Sequence, residues 1–174
     1  HDPDHFYLDV ALKAHNLSDR TLRNYVPGLQ IPDIQRFGTI NIDRLTFVGY
    51  PENFNTTFDI HSSNGAINGK AALDLRSAQL IYDANISTKN VNLARLLDDP
   101  SLESDLNSTL TIKGKGTDPK TMQAEFQLDG AGTTGFKNYQ IEKFHIGGNI
   151  ASAHLALQNT EIILQSGASL HSSY

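Results

Sequence analysis

Apolar and polar positions alternate along most of this chain, and that alternation is the strongest signal in it. Phe6-Tyr7-Leu8-Asp9-Val10-Ala11-Leu12 sets the pattern: a period of two, as in a strand with one covered face. A polar break at Asn16-Leu17-Ser18 then leads into Asp19-Arg20-Thr21-Leu22. The same order returns 74 positions later, as Leu80-Ile81-Tyr82-Asp83-Ala84-Asn85-Ile86, then Asn90-Val91-Asn92, then Leu93-Ala94-Arg95-Leu96. Each copy predicts a strand that runs into one short helix, near Asp19–Tyr25 and Leu93–Leu97. Ser18 and Asn92 are the N-caps, because their side-chain oxygens can accept from first-turn N–H groups. Pro27 and Pro100 mark where those helices stop.

Pro27-Gly28-Leu29-Gln30-Ile31-Pro32-Asp33 reads as a loop. From Thr39 to Gly49 the chain reads as a strand whose parity changes, Ile40 and Ile42 on one phase and Leu45 and Phe47 on the other. That change predicts a β-bulge. Phe54 to Ile60 alternates and meets Asn64-Gly65, a two-residue hairpin signal, before Ile67 to Leu75 returns with Ala71, Leu73 and Leu75 on one face. Leu106, Leu110 and Ile112 share a face against Asp105, Asn107, Thr109, Thr111 and Lys113. A turn from Gly114 to Pro119 separates them from Met122, Ala124, Phe126 and Leu128, and Gly130-Ala131-Gly132 reads as a hinge or bulge. Ile42 to Gly49 matches Ile141 to Gly148 at an offset of 99, and alternation resumes afterwards at Phe58 and Ile60 and at Leu155 and Leu157. The larger offset is explained by one extra hairpin around Leu106 to Leu128.

Strands with one wet face and one greasy face make an all-β, one-sided antiparallel sheet. Such a sheet hides its apolar side as a sandwich, a barrel or a lengthwise fold. The repeats, with no Trp to build a dense aromatic core, favour an elongated sheet curled into a trough with an apolar interior and two short helices. A β-sandwich is the alternative. The expected organisation is a single segment, residues 1–174, with copies at about 6–79 and 80–174. Opening on His1 and closing on a strand that looks cut short, it reads as a piece of a longer chain.

With a net charge of −5 and scattered Lys and Arg, the chain has no basic stripe, so nucleic acid is not an expected partner. It has no Cys, which excludes disulfides and thiolate metal sites. No apolar run approaches the roughly 20 residues of a spanning helix, so any anchor is expected outside these residues.

With these patterns in view, the chain resembles the TamB-like proteins of the AsmA-like superfamily. The resemblance is carried by Asn16-Leu17-Ser18 through Leu22 with Pro27 and Ile31-Pro32, by Gly49, and by the hairpin Phe58-Asp59-Ile60 to Ile67. Tyr82 leading into Asn90-Val91-Asn92-Leu93, and Asn138-Tyr139-Gln140-Ile141 with Ile146-Gly147-Gly148, extend it over most of the chain. It implies a β-trough, or β-taco, that conducts phospholipid across the periplasm. It also implies an inner-membrane anchor on a segment not present here and an Omp85-family outer-membrane protein as a partner in outer-membrane biogenesis, met through missing parts of the chain.

The residues expected to line the lipid groove are Phe54, Phe58, Ile60, Leu73, Leu80, Tyr82, Ile86, Leu106, Leu110, Ile112, Met122, Phe126, Leu128, Leu155 and Leu157. No catalytic, cofactor or metal residue is expected, and the protein is not read as an enzyme. The seven His are dispersed, and the one close pair, His1 and His5, flanks Pro3 at a terminus. Asp98-Asp99 is an ordinary polar loop position ahead of Pro100. Gly114-Lys115-Gly116 is a turn and not a phosphate cradle, since no helix follows it. The rival functions are a structural or adhesive β array with a closed core, and a carbohydrate-active enzyme using Asp98 or Asp99.

Overall fold

The computed structural model describes residues 6–17, 38–118, 120–130, 134–165 and 168–172. Ser18, the helix expected near Asp19–Tyr25, the loop to Asp33, and Ala131 and Gly132 of the expected hinge lie outside the described residues.

Among the described residues the alternating stretches form eleven strands: β1 (Leu8–Leu17), β2 (Ile40–Tyr50), β3 (Asn53–Ser62), β4 (Gly65–Asp74), β5 (Ile81–Val91), β6 (Ser104–Lys115), β7 (Gln123–Gly130), β8 (Thr134–Phe136), β9 (Tyr139–Ala151), β10 (His154–Leu164) and β11 (Ser169–Ser172). They make one curled antiparallel sheet in the order β1-β2-β3-β4-β5-β6-β7-β9-β10-β11, with β8 paired to β6 and β9. β8 prolongs β7. Ser108 of β6 lies opposite Gly130, and Ser104 opposite Phe136. On the other side Asp129 lies opposite His145, and Thr134 opposite Ile141. The pairings therefore close a ring, β6-β7-β9-β8. The strands that pack extensively are sheet neighbours. This is one sheet, not the two facing sheets of a sandwich.

Irregularities in the strands recur at matching places. In β2, Ile42 pairs with Ile60 but Arg44 pairs with Asp59, so Asp43 is the extra residue that switches the parity. In β9, Lys143 pairs with Ile163 and Ile141 with Leu164, so Glu142 is extra in the same way, 99 positions from Asp43. A second pair of bulges sits at Asn16 and Asn90, 74 positions apart, both in the left-handed region (φ 56° and 53°). Asn tolerates that conformation better than most residues. The amide of Asn16 donates to Asn41 Oδ1 at 2.9 Å, and that of Asn90 to Asn107 Oδ1 at 3.0 Å. A third left-handed Asn, Asn159 (φ 50°), bulges β10 against Ile146, whose side chain has no oxygen to complete such a clasp.

One five-residue helix, α1 (Leu93–Leu97), follows β5. Asn92 caps it, accepting from the Arg95 amide at 3.3 Å, and Asp98 ends it in the left-handed conformation (φ 56°). Pro100 does not end α1 directly. It opens a 3-10 turn, Pro100–Leu102, capped by Asp99. α1 is tied to the sheet end by Arg95 Nη1 to Asn64 Oδ1 (2.9 Å) and by the Leu93 amide to Ser104 Oγ (2.9 Å). No helix of the described residues is long and apolar enough to cross a membrane.

The two hairpin turns differ slightly from the sequence reading. Ser62 pairs with Gly65, so the first turn is Ser63-Asn64 and Gly65 opens β4. Its φ of +120° and the closeness of Asn90 O, 2.7 Å from where a Cβ would stand, explain the glycine. Gly114 belongs to β6, directly opposite Ala124, so the second turn begins later than Gly114.

Candidate functional site

Directly opposed residues of an antiparallel pair point to the same face, so the register assembles the apolar face row by row. One row runs Gly49, Phe54, Leu73, Tyr82, Gly114, Ala124, Ile150, Leu155. The next runs Phe47, Thr56, Ala71, Ala84, Ile112, Phe126, Gly148, Leu157, and a third runs Leu45, Phe58, Gly69, Ile86, Leu110, Leu128, Ile146. Ile60 stands between Ile42 and Ile67, and Leu106 faces Val91. Thirteen of the fifteen residues expected to line the groove thus lie in strands and share one face. Leu80 immediately precedes β5, and Met122 lies in the turn before β7, its amide donating to Asp118 O at 2.7 Å.

None of the fifteen is fully buried, and Leu155 and Leu157 are 59% and 43% exposed. Among the described residues, the buried apolar side chains are Ala84, Val91, Ala124 and Phe144, the last at 6% exposure. A single layer can cover its apolar side only by curling, and here that covering is partial.

Aromatic rings and glycines build this face together. Phe54 faces Gly49, Phe58 faces Gly69, Tyr82 faces Gly114, and Phe126 faces Gly148. A Cβ at Gly69 would fall 3.1 Å from Phe58 Cζ, and one at Gly148 would fall 3.0 Å from Phe126 Cζ. The Phe58 and Phe126 rings lie over their glycine partners, the Tyr82 hydroxyl reaches over Gly114, and Phe54 meets Gly49 through its Cα and Cβ. Phe47 and Phe54 also stack, with centroids 4.1 Å apart. Sequence reasoning missed Leu45, Phe47, Phe144, Ile146 and these glycines as members of the face; the glycines carry no signal until the register is known.

The opposite face is polar. A row of titratable side chains crosses four strands there: Asp129, His145, Glu161, His171. His145 Nδ1 lies 2.6 Å from Asp129 Oδ1, and His171 Nδ1 lies 3.8 Å from Glu161 Oε1. Lys143 Nζ donates to Glu161 Oε2 at 2.6 Å and holds that carboxyl below its ordinary value. Partial burial pushes Asp129 up, but hydrogen bonds from His145 and Gln127 outweigh it and leave the carboxyl low. A depression of about 560 Å³ opens beside this row over Gly147, lined by Lys113, Glu125, Gln127, Asn149 and Gln158.

His145 with Asp129 has the form of a base and its orienting acid, but no hydroxyl among the described residues hydrogen-bonds to His145. Asp98 and Asp99 are exposed, and Asp99 is occupied in accepting from the Ser101 amide at 2.9 Å. Among the described residues, no group of three or more His, Cys, Asp or Glu is placed to hold a metal ion. No family model, curated protein or solved structure matches this chain.

Proposed function

We propose that the apolar face shelters phospholipid acyl chains and lets them pass along the curled sheet. The observation that carries this reading is the placement of thirteen lining residues on one half-covered face of a single-layer sheet. An apolar surface of that extent favours occupation by apolar groups over contact with water. Each methylene removed from water contributes about 0.8 kcal/mol. Shallow, repeated contacts of this kind favour sliding over tight capture. The resemblance to TamB-like proteins points the same way and supplies the wider setting: the periplasm, an inner-membrane anchor on another segment, and an Omp85-family partner in outer-membrane biogenesis. On this reading the protein is not an enzyme and uses no cofactor.

The experiment is photo-crosslinking to phospholipid from Leu110 and, as a control one residue away on the opposite face, from Thr111. Native mass spectrometry of the purified protein accompanies it. Lipid adducts from Leu110 and not from Thr111, with phospholipid retained in the spectrum, are the expected result. Equal labelling at the two positions, or a well-folded chain that retains and crosslinks no lipid, overturns the proposal. A β array with a fully closed core is less well supported, because the face has too few fully buried side chains.

A further inference from the structure

Gly147 leaves a gap in the polar face. Its row runs Thr111, Gln127, Gly147, Gln158 across β6, β7, β9 and β10, and every position of it but the glycine carries a side chain. Along β9 itself His145 and Asn149 flank the glycine on the same face, because side chains return to one face every second residue. Gln127, Gln158, His145 and Asn149 therefore surround a position that has no side chain of its own. The result is the depression of about 560 Å³, a size within the range of about 300–1,000 Å³ usual for small-molecule sites.

His145 is held so that one ring nitrogen faces the gap. Its Nδ1 lies 2.6 Å from Asp129 Oδ1, the arrangement in which Nδ1 carries the proton. Its Nε2 stands 3.9 Å from where a Cβ on Gly147 would be, and so presents a lone pair to whatever enters. Among the described residues nothing hydrogen-bonds to Nε2 or to the side-chain amides of Asn149 and Gln158. Gln127 donates to Asp129 Oδ2 at 2.7 Å and keeps its own oxygen for a ligand. Asn159, the left-handed bulge residue without an asparagine clasp, borders the same depression. Bulges recur beside binding sites because they re-aim the side chains next to them.

We infer that this gap binds an uncharged, hydroxyl-rich ligand, a mono- or disaccharide, through Asn149, Gln158, Gln127 and His145. Each sugar hydroxyl both donates and accepts, and a carboxamide offers both functions in one plane. A charged ligand fits less well, because the charges at the rim are matched among themselves. Lys113 Nζ is 2.9 Å from Asp83 Oδ2 and stands opposite Glu125, while Asp129 is engaged by His145 and Gln127. A nucleobase has nothing to stack on. Phe126 is the aromatic residue beside the depression, and its ring lies on the opposite face over Gly148. Binding by water-exposed hydrogen bonds alone is weak, and a Kd of about 1 mM is expected. The site lies on the face opposite the lipid-lining residues, so the inference stands whether or not lipid binds.

Amide NMR spectra of the isotopically labelled chain are titrated with cellobiose, maltose and N,N′-diacetylchitobiose, and with citrate and adenosine as charged and aromatic comparisons. The expected result is saturable shift changes at Gln127, His145, Gly147, Asn149 and Gln158 with at least one disaccharide, and none with citrate or adenosine. Asn149→Ala combined with Gln158→Ala should weaken that disaccharide at least tenfold. Asn55→Ala, on the same face in β3, should leave it unchanged. If the double variant melts early, Gln158→Ala alone, at an exposed position, should still weaken binding at least twofold. The tetrasaccharide of the series that binds separates two sources. Equal affinity means a free small saccharide and tighter affinity a stretch of glycan chain, and both support the site. No saturable change with any disaccharide, changes centred away from Gly147, undiminished affinity in the folded variants, or tighter binding of citrate or adenosine overturns the inference.

Discussion

The Phe126 ring lies over Gly148, its direct partner across the β7–β9 pair, so closely that a Cβ on the glycine would stand 3.0 Å from Phe126 Cζ and 2.6 Å from the Ala156 carbonyl oxygen. The second contact is with backbone, which cannot turn aside as a side chain can. Gly148→Ala is therefore expected to destabilise by about 1–3 kcal/mol, the usual range for overpacking. Gly135→Ala is the control, because a Cβ there meets nothing closer than 3.4 Å and should be neutral or slightly stabilising. Urea midpoints of the two variants check this.

Replacing the ring itself separates an open face from a sealed one. Phe126 is half-buried, so in Phe126→Arg the long side chain can carry its guanidinium to water while its stem stays on the sheet. A modest fall in melting temperature and a large loss of lipid crosslinking at Leu110 are expected. Phe144→Arg should behave differently, since Phe144 is 6% exposed and lies against Gly130. An unpaired charge there is expected to remove several kcal/mol out of a total of about 5–15. Paired thermal melts of the two variants read the contrast directly, and a collapse of both would mean a sealed core.

The two asparagine clasps should respond alike. Asn107→Ala and Asn41→Ala each remove the oxygen that accepts the amide of a left-handed bulge residue, and each is expected to cost about 1 kcal/mol. Asn90→Gly should be tolerated, whereas Asn90→Val forces a β-branched residue to φ near 53° and should cost more than either alanine variant. Denaturant melts of the four variants test the ordering.

The polar face makes stability depend on pH in a defined direction. The folded state holds Asp129 below its ordinary value, so its contribution is complete above the unfolded carboxyl value near 3.9. That contribution is lost as pH falls through the lower folded value. Asp129 is partly exposed, so solvent screening keeps the effect small. His145→Gln removes one source of the shift and should flatten the acid limb of the stability curve. Urea midpoints from about pH 2 to 6 measure it.

Much of this architecture can be read before any coordinates exist, because a strand with one covered face writes its parity into the chain. Ile40 and Ile42 against Leu45 and Phe47 announce the bulge at Asp43, and the Leu80 to Ile86 alternation places the start of β5 within a residue, though the strand runs on to Val91. What parity leaves open is register. Asn64-Gly65 looks like a turn pair, yet Gly65 is demanded by the neighbouring end of β5, a contact between residues some 25 positions apart. The Asp129, His145, Glu161, His171 row is hidden for the same reason. Its members are spread along the chain and become one line only after the bulge in β10 shifts the pairing. Asn159 could not be ranked beside Asn16 and Asn90, because the oxygen that completes their clasps has no counterpart at Ile146.

A sheet in which strands pack extensively only on their hydrogen-bonded neighbours has energetics of a one-dimensional kind. Stability is then a sum of strand terms and nearest-neighbour couplings, and the position of a lesion decides its reach. A defect at β1 or β11 frays one end and leaves the rest paired. The same defect at β5 or β6 uncouples two halves that can each hold together, so unfolding should proceed in steps whose boundaries follow the strands. Such a molecule yields locally under strain and keeps most of its length intact.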